Sequence, residues 1–407
     1  MSSVEGVDGT MTNVKKNSIR YVIVDAFYNA SLVCCTGPVL QTFMNSIGFS
    51  DRWIYLNSML IQALNMLTIF CCARWTDKGN IIRRSGNVLL LQALLFLFYI
   101  PLCIWKSETF TSFALLTTVC LMQTVTTGLF TVCLYKLPYV VLETQSYPVV
   151  IAIGGLILGI LSLVSGLALT WLAGYFSYPQ IMLGGCITSG CLTLTASILM
   201  RKQIPLIQQD FLPEKSAEKV PIVKMISQPI FYRLLPGNII RGFSMGVLSV
   251  LTVVALDLGF GEQIATAMVP TQSTATILMC CFFGAVAKRE NVARLIMMGS
   301  LAFLLLPVLL ISQVGWQFLL GYFTVCIGKG LVDYSIPIAL RWVVPIEIAG
   351  MYQAWRMALT YCGMVLGTLT AALLSSRAVM LVSAISMIVA GGSYYASLKS
   401  VDTSLGG

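Results

Sequence analysis

Residues 148–172 read PVVIAIGGLILGILSLVSGLALTWL, a stretch without one charged side chain. A helix that crosses the hydrocarbon core of a bilayer needs about 20 predominantly apolar residues, and this stretch supplies them. Outward from it, runs of the same kind fill the chain. They fall at 20–46, 53–74, 87–105, 110–135 and 178–200, and, after a polar interval, at 236–258, 263–287, 293–312, 315–340, 349–374 and 376–397. The first and seventh runs are the more polar and are expected to tilt or break. Of the 407 residues, 57% are hydrophobic and 10% charged, and the mean hydropathy is +0.86. Soluble domains average about 25% charged residues, so a water-soluble globular protein is excluded. Twelve spans take roughly 240 residues and leave about 170 for tails and loops, too few for a sizeable soluble domain.

The net charge of +9 does not point to nucleic acid, because Lys and Arg are dispersed among the apolar runs without forming a basic face. Membrane topology accounts for them. With the N-terminus inside, 19 of the 25 Lys and Arg fall in the tails and inner connections. Only Arg52, Lys106 and Arg377 fall outside, and Arg241, Lys329 and Arg356 lie within spans. This positive-inside bias places both termini in the cytoplasm. Residues 1–18 are polar and precede any apolar run, so no cleavable signal peptide is expected, and the tail is read as disordered. The thirteen cysteines, including Cys34-Cys35, Cys71-Cys72 and Cys280-Cys281, sit mostly in apolar runs, and the chain holds no histidine to complete a zinc site. They are read as small packing residues; neither a metal nor a cofactor is expected.

The longest hydrophilic stretch, 201–235, carries Pro205, Pro213, Pro221 and Pro229 and falls at mid-chain. The expected organisation is therefore a tail (1–18), a six-helix bundle (19–200), a cytoplasmic linker (201–235), a second six-helix bundle (236–398) and a tail (399–407). Within the linker, Ile222 to Leu235 is expected to form an amphipathic helix on the inner membrane surface. The two bundles read as repeats. Cys71-Cys72 and Cys280-Cys281 each close a run and are followed by a basic connection, at an offset of about 210. Pro138, Gly155 and Gly159 correspond to Pro345, Gly363 and Gly367 at an offset of about 208. The fold class expected is an all-α integral membrane protein, with twelve transmembrane helices in two six-helix pseudo-repeat halves.

Two such halves, a cytoplasmic mid-loop and a basic connection after the second helix of each half resemble the major facilitator superfamily across residues 19–398. That family's loop between helices two and three usually reads Gly-x-x-x-Asp-Arg/Lys-x-Gly-Arg-Arg. Here it reads Ala73-Arg74-Trp75-Thr76-Asp77-Lys78-Gly79-Asn80, then Arg83-Arg84, with Ala for the first Gly and with the second Gly and the Arg pair displaced. The resemblance implies a conformational latch at Asp77, Lys78, Arg83 and Arg84. Physically, Asp77 would cap the third helix or pair with a base of the other half. The resemblance also implies alternating access around a solute held near the midplane, and a monomer in the lipid bilayer. Enzyme chemistry has no foothold: there is no histidine and no Walker-type glycine-rich loop.

Ionisable residues inside spans are expensive and usually face a cavity or a partner. Asp25, Asn29 and Thr36 share one face of the first helix. A carboxylate taken out of water holds a proton more readily, so Asp25 is a candidate proton carrier, as is Asp333. The alternative for Asp25 is a carboxylate near a helix N-terminus, stabilised by the dipole and by Arg20. Lys329 and Asp333, spaced i, i+4 in the tenth helix, can neutralise each other. Arg241 and Arg356 are further bases within spans. The amides Gln62, Asn65, Gln123 and Gln272 complete the candidate cavity set with Asn29, although amides also join helices without any solute.

The expected function is proton-coupled uptake of a small polar solute: a sugar, glycoside or organic anion. Sodium could use the same carboxylates. The alternative is a drug/proton antiporter. Antiporters of the superfamily typically carry an Arg in the fourth helix and a Gly-Pro motif in the fifth, and both are missing here. The membrane expected is a plasma or bacterial inner membrane. The simple pairing of Lys329 with Asp333 predicts that Lys329→Ala is more harmful than the double change with Asp333→Ala, because the single change strands an intramembrane carboxylate.

Overall fold

The computed structural model describes residues 4–73, 75, 80–104, 109–142, 147–205, 229–286, 289–343 and 346–405. Span one is a helix, Val4–Cys35, continued after a break by Pro38–Ser46. Span two is Asp51–Cys72, and span three is Ile81–Leu97 with Tyr99–Ile104. Spans four, five and six are Phe110–Val141, Tyr147–Leu172 and Tyr178–Arg201. Span seven joins Pro229–Ser249 to Leu251–Asp257, and span eight is Glu262–Val286. Span nine runs from Arg289–Leu301 through a 3-10 turn, Ala302–Leu305, into Leu306–Leu309. Spans ten, eleven and twelve are Gly315–Val343, Ile346–Leu373 and Ser376–Leu405. Among the described residues, eleven helical segments are long and apolar enough to cross a bilayer, and the bent pair of span seven brings the number to twelve. The protein is a multi-pass membrane protein. Helices are the form expected, since hydrocarbon offers no partner to an unpaired backbone N–H or C=O.

The two more polar spans are both broken. Span one breaks at Gly37, whose φ of +56° is a conformation that favours glycine, and it restarts at Pro38, suited to the first turn of a helix. Span seven bends by 42° at Val250. Three local expectations are corrected. The helix of span one begins at Val4, so the tail is helical from there; Asn17 ties it down by donating from its amide to the carbonyls of Ile204 (2.5 Å) and Val141 (3.3 Å). Span three begins at Ile81, which places Arg83 and Arg84 in its first turn. Its N-cap is Asn80, whose side chain accepts from the Arg83 amide at 3.0 Å, so Asp77 does not cap this helix. Of the interfacial helix expected at 222–235, residues 222–228 lie outside the described residues, and 229–235 form the first turns of span seven.

The packing reproduces the repeat. In the first half, span one packs on five and six, span three on four and six, and span two on four. In the second half, seven packs on eleven and twelve, nine on ten and twelve, and eight on ten. Adding six to each number of the first set yields the second. The contacts between halves obey the same operation, since span two packs on eleven and span five on eight.

The repeated glycine pairs are used on different faces. Gly363 and Gly367 face span seven of their own half; an added Cβ would lie 2.0 Å from the Ile239 carbonyl oxygen and 2.1 Å from that of Phe243. Gly155 and Gly159 face the other half, where a Cβ would lie 2.5 Å from the Tyr334 hydroxyl and 2.5 Å from Ile277 Cγ1. The second pair meets side chains that can turn aside, whereas the first meets backbone. Gly363→Val is therefore expected to cost at least the ~1–3 kcal/mol of an overpacked core. It should clearly lower the melting temperature of the detergent-purified protein, while Gly392→Val, where a Cβ meets nothing within 4 Å, should leave it nearly unchanged.

Candidate functional site

Where the two halves meet at mid-depth, a cavity of about 370 Å³ is lined by spans one and five of the first half and eight and ten of the second. Its polar lining includes Asn29, Thr36, Ser162, Gln272, Lys329 and Asp333. The Thr36 hydroxyl donates to the Leu32 carbonyl of its own helix. The Gln272 Oε1 accepts from the Tyr322 hydroxyl at 3.1 Å, which leaves its exposed amide end to face the cavity.

One wall carries the charges. Lys329 Nζ lies 2.7 Å from Asp333 Oδ2, as the i, i+4 spacing implied. The other carboxylate oxygen of Asp333, Oδ1, is bonded by a guanidinium nitrogen of Arg241, from span seven. Arg241 is buried, and its Nε and Nη1 have no hydrogen-bond partner among the described residues. Asp333 thus stands between two cations, one on its own helix and one 92 residues earlier. The Lys329 and Asp333 side chains retain partial exposure, 32% and 25%, toward the cavity, while that of Arg241 retains 8%.

Asp25 lies one helical turn from Asn29, whose amide donates to Asp25 Oδ1 at 3.0 Å and to the Asp25 carbonyl at 2.8 Å. The helix that carries Asp25 begins at Val4, more than five turns earlier. Asp25 is not near a helix N-terminus, and the Arg20 guanidinium donates to the Lys202 carbonyl. The other carboxylate oxygen faces Gly154 of span five.

The remaining amides do not line the cavity. Gln62 bridges the halves: its amide donates to Ser249 Oγ at 2.9 Å, and its carbonyl accepts from the Thr368 hydroxyl at 2.8 Å. Gln41 adds a bond to the Ser249 carbonyl at 2.9 Å, and Tyr178 meets Thr266 at 2.5 Å. These cross-half bonds run from mid-depth to the end of the bundle away from the termini. At the terminal end, the contact between spans two and eleven is apolar, with Phe70 on Trp355 at 4.7 Å between ring centres and Ile69 and Ala73 against Ala354 and Ala358. Gln123 accepts from the Tyr99 hydroxyl at 2.6 Å within the first half, and Asn65 faces Gly128 of span four. Arg356 is buried, with its Nε donating to Gln353 Oε1 at 2.8 Å. Of the latch residues, Asp77 and Lys78 lie outside the described residues. Arg83 is exposed, and Arg84 packs over Trp75 and donates to its carbonyl. Sequence reasoning missed Ser162, a polar residue in the span quoted first, the Ser249 and Thr368 partners of Gln62, and Gln41, which bonds the Ser249 carbonyl. For Ser162 the signal was a hydroxyl in an otherwise apolar run, which it shares with Ser165 and Thr170; for the others there was none.

The arrangement of both halves around this cavity can be compared with known proteins. Over 94% of this chain and 99% of the other, it superposes on the crystal structure of the nucleoside transporter NupG with a TM-score of 0.67 at 11% identity. A D-xylose-proton symporter gives 0.66 at 11% identity over 93% of this chain and 96% of that one. A bacterial homologue of the iron transporter ferroportin, in an outward-facing state, gives 0.65 at 12% identity over 94% and 98%. The chain has the major facilitator fold. No protein-family model and no curated protein sequence matches it. Within the major facilitator fold, the described charged triad occupies the junction of spans seven and ten.

Arg241 reverses the expectation drawn from the Lys329–Asp333 pair alone. Lys329→Ala leaves Asp333 on Arg241, whereas the double change with Asp333→Ala leaves Arg241 buried and unpaired. Stranding one member of a buried pair costs about 3–5 kcal/mol. The double variant is thus expected to be the less stable in thermal unfolding of the purified protein, and Arg241→Ala in the double background should recover much of the loss.

Proposed function

We propose that the protein is a secondary transporter that takes up a small polar solute by alternating access, with protons as the coupling ion. The observation that carries this reading is the polar cavity at mid-depth, walled by both halves. A solute there touches two bodies that can rock about it, and movement of one half against the other exposes it to each side in turn. The three solved transporters whose fold the chain shares are described as acting on a nucleoside, on D-xylose with protons, and on iron. They support transport as the class while differing in what is carried.

Asp25 supports the coupling role. It lies in span one, and its hydrogen-bonding neighbour Asn29 lines the cavity, so loading a proton there alters the polar surface met by the solute. The distribution of Lys and Arg supports a cytoplasmic side for both termini, and in this reading the hydrogen-bonded end of the interface is the outer one. The chain works as a monomer in this reading, with residues 19–200 and 236–398 as the moving halves and 201–235 as the linker between them.

Purified protein in liposomes preloaded with unlabelled solute tests the proposal. Counterflow of labelled solute and accumulation driven by an inward proton gradient are expected. Asp25→Asn is expected to keep counterflow within a few-fold of the wild type while losing gradient-driven accumulation. Accumulation that ignores the proton gradient in the wild type refutes the coupling, and absence of any counterflow across sugars, nucleosides and organic anions refutes the transport reading.

A further inference from the structure

We propose that the solute bound in this cavity carries one negative charge, a carboxylate or comparable acidic group, and that Lys329 is the residue that holds it. The proposal rests on the transport reading above and names the class of solute for the same site. It stands on three observations: the order in which Arg241, Asp333 and Lys329 are bonded, their burial, and the neutral remainder of the described lining.

The charges do not balance. Arg241 and Lys329 contribute two positive charges, and Asp333 contributes one negative. The described polar lining of spans one, five and eight is neutral: Asn29, Thr36, Ser162 and Gln272 carry no charge. Asp25 is not part of the cavity lining; it makes no ion pair among the described residues and stands outside the count when it holds the coupling proton. One positive charge is left over on side chains that are largely buried, 8% exposed at Arg241 and 32% at Lys329, where an unpaired charge is costly. A neutral solute leaves that surplus in place, and a cationic solute doubles it. A monoanion removes it.

The geometry decides which of the two cations is available. Arg241 is buried and bonded to Asp333 Oδ1. Lys329 lines the cavity, is partly exposed to it, and spends one of its three ammonium N–H donors on Asp333 Oδ2 at 2.7 Å. An acidic group entering the cavity therefore meets Lys329. When Lys329 turns to it, Asp333 stays neutralised by Arg241, so no carboxylate is stranded. In the empty protein, Asp333 takes the solute's place on Lys329. Arg241 is thus the residue that makes the exchange possible, and Asp333 is an internal stand-in for the anion. The free amide end of Gln272, which donates but does not accept, supplies a neutral donor on the facing wall.

The test uses the full-length protein in detergent and in liposomes, with acids paired to neutral analogues of nearly the same shape: glucuronate with glucose, gluconate with glucitol, lactate with propane-1,2-diol, and benzoate with benzyl alcohol. Binding to the native state raises the melting temperature by mass action. At least one acid is expected to raise it, with half-saturation at a concentration at least tenfold lower than its neutral partner. Lys329→Gln is expected to weaken that acid at least tenfold, and Lys329→Arg to restore most of the response, which separates loss of the charge from loss of the fold. Equal response to the acid and its neutral partner throughout the panel, no response to any acid, or undiminished acid binding by Lys329→Gln overturns the proposal. The liposome arm separates the two readings. Counterflow of neutral solutes with none of acids removes the anion and leaves the transporter, whereas no counterflow of any solute removes both.

Discussion

A carboxylate shared by two bases in a bundle with little water sets the terms for the second half of this molecule. Asp333 takes Lys329 on one oxygen and Arg241 on the other. Isolated charges in such surroundings are expensive, and a buried pair is tolerated only when its members satisfy each other. The triad therefore constrains span seven to lie where Arg241 reaches span ten, and it holds Lys329 at the cavity wall. Neighbouring contacts follow from that placement. Span seven is locked against span twelve by the Tyr394 hydroxyl, which donates to Asn238 at 2.5 Å, and against span eleven by glycines that bring the two backbones together.

The interface between the halves is built from different chemistry along its length. Toward the end away from the termini, Gln41, Gln62 and Tyr178 bond to Ser249, Thr368 and Thr266. At the other end, the described residues of spans two and eleven meet through alanine, isoleucine and an edge-to-face pair of aromatic rings. Hydrogen bonds between polar side chains have defined geometry and must be broken to part the halves, whereas apolar surfaces slide with little directional cost. Between spans five and eight, Gly155 and Gly159 bring the halves into contact against side chains that can move. An interface of this kind holds one arrangement without fusing the halves into a single body.

Much of the fold was legible because hydrocarbon removes alternatives. A run such as 148–172 can only be a buried or spanning helix, and its end is marked by Gly174 and the Ser177-Tyr178-Pro179 turn that starts the next run. The breaks in spans one and seven were legible as polarity, and the repeat as a constant offset between marks. The tail was misread as disordered because its composition is polar, whereas Asn17 anchors its helix to carbonyls of residues 141 and 204. Asp77 was read, from its place in the loop, as a cap of span three or a partner to a base of the other half, while the N-cap position belongs to Asn80, which immediately precedes the helix.

Among the candidate site residues, the Lys329–Asp333 pair was readable because four residues of helix bring two side chains together wherever the helix lies. The sequence alone determined the number of spans, their order, the internal repeat, and which residues are polar in an apolar setting. Only the tertiary structure decided what each of those polar residues touches. Arg241 meets Asp333, Gln62 meets Ser249 and Thr368, and Gln123 meets Tyr99, each across separations that helical periodicity cannot span. The physical reason is that periodicity specifies a face of one helix, whereas a cavity or a clasp is a property of which faces of several helices are packed together.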